Sequence, residues 1–280
     1  MKLLRKLSLS ELLNKTDQIR KDVIDVCVRN EAGHIAPSLS CIDILTTLYY
    51  NVMNIYESPE CTDRDRLVFS KAHGCYGLYS ILADIGYLNR AEWNNFYRGS
   101  WLSGCVERSV QHGIEAGCGS LGHGLPIAVG IAFGAKLQNL SYHVYCIVGD
   151  GELQEGATWE ACQFAAKHQL SNFTLIIDCN RLQAMDFLEN ILSFQEVSQD
   201  LENKLQAFGL NVTKCNGHDC IDIYNALIQA LEDSSELNLP SAIIAKTIKG
   251  FGLYCMENVP KFHFRVPTLK DLEMGCRYGS

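Results

Sequence analysis

VYCIVGDGELQEGATWEACQFAAKHQL, residues 144–170, is the stretch whose reading decides the fold. Val144, Tyr145, Ile147 and Val148 are β-branched or aromatic and read as a buried strand. The run drops into Gly149-Asp150-Gly151, and an apolar pattern with helical spacing follows from about residue 155. Strand, glycine turn and helix in that order make one half of a parallel α/β unit. Gly149 and Gly151 let backbone approach a phosphate closely, and the following helix start offers free N–H groups to an anion. Asp150 supplies a hard oxygen of the kind Mg²⁺ takes, with water and phosphate completing its shell. The plainer reading is that Asp150 only caps the helix over 155–169, with Gly151 in a tight turn. A second strand-like run, FTLIIDCN (173–180), ends in Asp178 and Asn180. Two oxygen-bearing side chains, Asp150 and Asn180, then leave neighbouring strands at one sheet edge, which favours the metal reading.

Further strand-like runs are RLVFS (66–70), NVTKCN (211–216) and SAIIAKTI (241–248). Helical patterns cover 8–30, 38–53, 73–86, 121–138, 155–169, 198–208 and 219–232. Several strand runs are continuously apolar, as in strands buried on both faces. The expected fold is α/β, a parallel sheet with helices on both faces, in a single domain spanning 1–280. Ligands in such sheets sit at the carboxyl ends of the strands.

The chain has 280 residues, 47% of them hydrophobic, and a formal net charge of −8. Its basic residues neither outnumber the acids nor cluster, which argues against a nucleic-acid partner. Thirteen cysteines are present without a C-x-x-C pair, which reads as reduced core thiols in a cytoplasmic protein. There is no 18-residue apolar run, so no membrane span is expected. The first 26 residues carry charges throughout an apolar stripe and read as an amphipathic helix rather than a signal peptide.

GCGSLG (117–122) matches the dinucleotide fingerprint in letters, but polar, mixed residues precede it where that fingerprint needs a strand. It reads instead as a glycine turn before a small-residue helix over 121–138, suited to packing against a neighbour. His34 precedes one helix, and His73 follows a strand and opens another, so both belong at the sheet edge that carries Asp150. His112 and His263 are undecided from position alone, since a lone histidine is more often packed than catalytic.

Five segments, taken in order, resemble the amino-terminal, thiamine-diphosphate-binding part of the transketolases. They are GHIAPSLSCIDILTTLYY, DRDRLVFSKAHGCYGLYSILADIGYL, GIEAGCGSLGHGLPIAVGIAFGAKL, VGDGELQEGATWEA through DCN, and KTIKGFGLYCMEN followed by His263. The resemblance runs from about residue 10 to 265. It implies that thiamine diphosphate and Mg²⁺ (or Ca²⁺) are the cofactors. Asp150, Asn180 and the carbonyl of Leu182 would hold the metal. Gly151 would meet the diphosphate through its N–H, beside Gly149. His73 would approach the diphosphate, and Gly119, Leu121 and Gly122 would line the thiazolium pocket. Glu155 and Glu160 fall in the motif's helix, Glu160 orienting Asn180. His34, His73 and His263 would be the catalytic histidines, with His34 and His263 facing the reacting carbons and substrate hydroxyls. Glu115 matches an acid of the motif, without an assigned chemistry.

There are departures. A family histidine that contacts substrate is replaced by Cys105, with His112 as its nearby substitute, and this leaves substrate preference open. The resemblance also implies a second domain, which carries the group that activates the aminopyrimidine ring and most of the sugar-phosphate contacts. No such domain lies within residues 1–280. The expectation is therefore one half of a split transketolase, moving a two-carbon ketol unit from a ketose or ketose phosphate to an aldose. It would need a separate pyrimidine-domain partner and assemble as a heterotetramer of two plus two. Two other readings stand beside it: a specialised acyloin-forming or ketol-transfer enzyme, and a non-catalytic regulatory relic.

Overall fold

The computed structural model describes residues 2–184, 186–191 and 196–273. Five strands form one parallel sheet: β1 (Arg66–Phe69), β2 (Val144–Gly149), β3 (Phe173–Cys179), β4 (Asn211–Asn216) and β5 (Ser241–Lys246). Their spatial order is β1-β2-β3-β5-β4. All four pairings are parallel, with Gly149 beside Asp178 and Asp178 beside Ala245. β3 is buried along its whole length, Thr174 and Asp178 included, as in a strand covered on both faces. The chain moves one way across the sheet from β1 to β4 and steps back once to β5. Right-handed crossovers then place α6 (Gly124–Leu137), α7 (Gly156–Lys167) and α9 (Val197–Ala207) on one face and α10 (Cys220–Leu237) on the other. The contacts agree: α6 packs on β1, β2 and α7, while α10 packs on β4, β5 and α3 (Ile42–Thr47).

α1 (Leu9–Arg29) begins with a capping box. Ser8 accepts from the Glu11 N–H, and the Glu11 side chain returns to the Ser8 N–H. Its stripe of Leu12, Ile19, Val23 and Cys27 is buried. The helix expected over 38–53 is instead α3 followed by a π-helical turn, Leu48–Val52. It is preceded by α2 (Ile35–Leu39), which starts directly after His34. Ser40 keeps helical angles and the backbone leaves them at Cys41 (φ −115°, ψ 9°), beside the point where the Ser40 hydroxyl bonds Asp178 at 2.6 Å and the Pro37 carbonyl at 3.0 Å. The pattern over 73–86 resolves into a short 3₁₀ turn, Ala72–Gly74, and α4 (Tyr76–Asp84). α10 runs on past 232 to Leu237, where Asn238 closes it in the left-handed conformation at φ 54°. A further short helix, α5 (Arg90–Asn94), lies in a stretch without a clear sequence pattern. α8 (Leu188–Ile191) is likewise short.

No helix among the described residues is long and apolar enough to cross a membrane. The described cysteines are all free thiols.

Candidate functional site

The carboxyl ends of β1, β2, β3 and β5 open into a cleft of about 370 Å³. The GDG turn forms its floor. After Gly149 the chain tightens into a 3₁₀ turn, Asp150–Gln154, before α7. Asp150 is buried and accepts from the N–H of Gly151 at 2.8 Å and of Arg181 at 2.5 Å. It is therefore an acceptor held by backbone rather than the cap of α7, whose N-cap is Glu155 without a side-chain bond. Burial, with Asp178 nearby, pushes the Asp150 carboxyl up to about 6. Asn180 accepts from Leu182 N–H at 3.0 Å and donates to Asp178 at 3.3 Å.

Asp178, wholly buried, is the hub beneath the floor. It accepts from Ser40, from Thr247 and from the buried ammonium of Lys71. Lys71 also donates to the Pro37 carbonyl and to Ser40, both at 2.8 Å. Burial opposes both charges, but each offsets it for the other. Lys71 titrates above its ordinary value and Asp178 below, so the pair stays ionised.

Lys249 differs. It is 2% exposed. Its ammonium donates to the carbonyls of Leu182 at 2.8 Å and Gln183 at 3.3 Å and to Nδ1 of His263 at 2.6 Å. Burial and the neighbouring Lys71 lower it to about 7, against the pull of Asp150 and Asp178. Among the described residues it has no carboxylate within ion-pair distance, and Asp150 has no cationic side chain within that distance.

Three histidines stand over this floor. His34, His73 and His263 have ring centroids 5.0 to 5.7 Å apart. Burial and the two lysines push His73 down to about 2 and His263 to about 3. All three rings are neutral near pH 7, so they serve as hydrogen-bond donors and acceptors rather than as cations.

The structure thus brings His34, His73, His263, Leu121, Gly149, Asp150, Gly151, Asn180 and Leu182 to one cleft, with Cys105 in its wall. Other expectations need correction. Glu160 does not orient Asn180: it is exposed on α7 beside Pro126 and Phe164, and Asp178 and Leu182 hold Asn180 instead. Glu155 is exposed, and Gly119 and Gly122 do not line the cleft. Gly122 is needed for its turn, with φ +82° and a Cβ that would fall 2.6 Å from that of Glu155. His112 cannot stand in for an imidazole at Cys105. It stacks on Trp101 and bonds the Ser109 hydroxyl at 2.7 Å, outside the cleft. Glu115 pairs with the buried Arg64, a structural role. The GCGSLG segment follows no strand; its Cys118 makes a single bridge to Val106.

Sequence reasoning missed Lys71, Asp178 as hub, Lys249 and Glu152. Glu152 is buried and gathers the Ser70 hydroxyl and the N–H groups of Gly122 at 2.9 Å and Gly149 at 3.3 Å. It ties the ends of β1 and β2 to the loop before α6. The available signals were SKAHG and KTIKG, where Lys71 and Lys249 each directly follow a strand-like run.

A thiamine-diphosphate–metal pair fits these residues. One carboxylate, one amide and one carbonyl make a hard-oxygen set of low charge. No group of three or more His, Cys, Asp or Glu suited to a metal occurs among the described residues, so a cation here would draw on that mixed set. A buried carboxylate and a buried ammonium, each lacking a counterion, complement a cation and an anion arriving together.

Fold and cleft define a parallel α/β domain built to hold an anionic ligand at its strand ends. Comparison with known proteins gives the family. Residues 13–272 match the transketolase thiamine diphosphate binding domain. The chain is 36% identical, over 96% of its length and 95% of the relative's, to one of the apulose-4-phosphate transketolase subunits of Actinobacillus succinogenes. It is 34% identical to the 6-deoxy-6-sulfo-D-fructose transketolase subunit SqwG of a Clostridium species, covering 86% of each. Among solved structures, the transketolase of Campylobacter jejuni superposes with a TM-score of 0.83 at 32% identity. That match covers 95% of this chain but 42% of the other, so the chain spans less than half of the single-chain enzyme. The chain belongs to the transketolase family. It is the thiamine-diphosphate-binding part, of the kind its relatives carry as a separate polypeptide, and its class of chemistry is ketol transfer.

Proposed function

We propose that this chain is the diphosphate-binding half of a two-chain transketolase that moves a two-carbon ketol unit from a ketose or ketose phosphate to an aldose. The observation that carries the reading is the pair of uncompensated buried charges, Asp150 and Lys249, facing one cleft. Asp150, the Asn180 oxygen and the Leu182 carbonyl hold Mg²⁺ or Ca²⁺. Lys249, His73 and the Gly151 N–H receive the diphosphate, with Gly149 clearing its approach and the closed Lys71–Asp178 pair supporting the floor beneath it. Leu121 covers the thiazolium side, and Gly119 and Gly122 shape the loop behind it. His34 and His263 meet substrate hydroxyls as neutral hydrogen-bonding groups. Bound thiamine diphosphate supplies the carbanion chemistry of ketol transfer; this chain's residues bind, orient and exclude water.

A single domain over 1–280, a cytoplasmic location and an assembly of two copies with two pyrimidine-domain partners complete the proposal. Free thiols and the absence of a membrane-crossing helix among the described residues are consistent with that location. A second reading keeps the site but specialises the substrate. Cys105 in the cleft wall favours it, since a thiol is a weak hydrogen-bond donor. Two of the relatives are named for unusual sugars.

Native mass spectrometry of the tagged chain, purified with Mg²⁺ and thiamine diphosphate, tests the assembly. A two-plus-two complex with two cofactors is the expected result; a cofactor-free homodimer would favour the regulatory reading. A donor and acceptor screen of that complex separates the two substrate readings.

A further inference from the structure

Ile248 and Phe251, which flank Lys249 in sequence, are held by a network of residues that do not line the cleft. β4 and β5 stop pairing at Asn216 and Lys246. The Gly217 N–H still donates to the Lys246 carbonyl at 2.8 Å. The approach is so close that a Cβ on Gly217 would collide with the Thr247 methyl. Past that point, the Ile248 N–H has no strand opposite it. Nε2 of His218 accepts from it at 2.7 Å, so the imidazole takes the place of a backbone carbonyl. An accepting Nε2 carries no proton. The hydrogen-bond network therefore assigns the proton to Nδ1, which donates to Asp43 at 2.9 Å. Asp43 also receives Arg20 at 2.7 Å, and Arg20 donates to the Phe251 carbonyl at 2.9 Å. The His218 ring stacks on Phe251 with centroids 3.5 Å apart and planes 16° from parallel. The residue before Lys249 and the second residue after it are thus gripped by one buried cluster. His218, Asp43 and Arg20 do not line the cleft.

We infer that His218 is a positioning residue: by accepting the Ile248 N–H and stacking on Phe251, it fixes the turn that aims Lys249 at the anion. The inference rests on the reading of the cleft given above and deepens it. Without the imidazole, a part-buried N–H loses its acceptor and Phe251 loses its stacking partner. Lys249 must then find its geometry from a looser turn.

The test is a double-variant cycle on the full-length chain, reading the affinity for magnesium pyrophosphate by calorimetry. Deuterium exchange over residues 244–252 is the second readout. His218→Ala is expected to weaken binding on the order of ten-fold, as for groups that orient a ligand-bearing residue. Lys249→Ala should weaken it further, and the double variant should be no weaker than Lys249→Ala alone. Exchange at Ile248 should accelerate in His218→Ala. His218→Gln, whose amide oxygen reaches the Nε2 position but which lacks the ring that stacks on Phe251, should restore protection at Ile248 and part of the affinity. His218→Asn, which reaches Asp43 alone, should restore neither. The inference is overturned if His218→Ala binds like the parent, or if the two losses multiply in the double variant. Equal affinities for the Gln and Asn variants also overturn it, and this comparison stands even if His218→Ala does not fold. Unchanged binding by Lys249→Ala overturns the cleft reading itself, and this inference with it.

Discussion

The molecule buries charge in two places, and they are built differently. In the Arg20–Asp43–His218 cluster, the arginine meets its carboxylate directly at 2.7 Å and the neutral imidazole completes the carboxylate's bonds. At the cleft floor, Lys71 and Asp178 form the same kind of closed pair, but Asp150 and Lys249 beside them have no counterion among the described residues. Burying an ion without a partner is costly, and a closed pair avoids most of that cost. The closed pairs are scaffolding; the open ones are where a ligand completes the electrostatics.

The largest effect should come from opening a closed pair. Asp178→Ala leaves the Lys71 ammonium buried alone and should cost about 3–5 kcal/mol of unfolding free energy in a denaturant titration. Adding Lys71→Met should recover most of the loss; no recovery would mean that the pair is not what holds the floor together. The open charge should behave the opposite way. Asp150→Asn removes a carboxylate that burial already disfavours, which offsets part of the cost of turning an amide NH₂ towards the Gly151 or Arg181 N–H. Unfolding free energy should fall by no more than about 1–2 kcal/mol, while magnesium pyrophosphate binding falls below detection. A large stability loss would place Asp150 with the scaffolding instead.

A smaller effect separates both clusters from ordinary burial. His143 starts the run into β2, bonds the Thr174 hydroxyl at 2.8 Å, and is lowered by burial to about 3. The folded state binds its proton less readily than the unfolded state does. Its contribution to stability is therefore full above the ordinary histidine range and is lost as pH falls from about 6.5 towards 3, by up to about 1.4 kcal/mol per unit. His143→Asn should flatten that part of the pH–stability curve relative to the parent. The smallest effect is expected at Glu160. Glu160→Gln should leave unfolding free energy within about 0.5 kcal/mol and pyrophosphate affinity unchanged. A clear loss of affinity would restore a link between Glu160 and Asn180.

The strands and the GDG turn were legible because their signals are local. A continuous apolar run marks a strand buried on both faces, and glycines flanking an acid at its end mark a turn with a ligand-facing carboxylate. Asp150 and Asn180 follow from those two runs alone. The helix after the turn was legible in type but not in the role of its acids. Glu152, Glu155 and Glu160 stand close together, yet the tight 3₁₀ turn sends Glu152 inward while Glu155 and Glu160 face solvent. The break between α2 and α3 escaped the pattern as well: the Ser40 hydroxyl beside it bonds a carboxylate 138 residues away, a neighbour that no local window contains.

The sequence by itself determined the class of fold, the sheet edge that carries the site, and two of the three histidines that gather there, His34 and His73; position left His263 undecided. Only the tertiary structure decided which charges are paired. A lysine reads as solvent-exposed in any local window, and whether it is buried depends on segments far apart in the chain. Lys71 meets Asp178 across 107 residues, and His218 reaches Asp43 across 175. Pairing and desolvation are properties of three-dimensional neighbours, so no local pattern could have separated Lys249, left without a counterion, from Lys71, which has one.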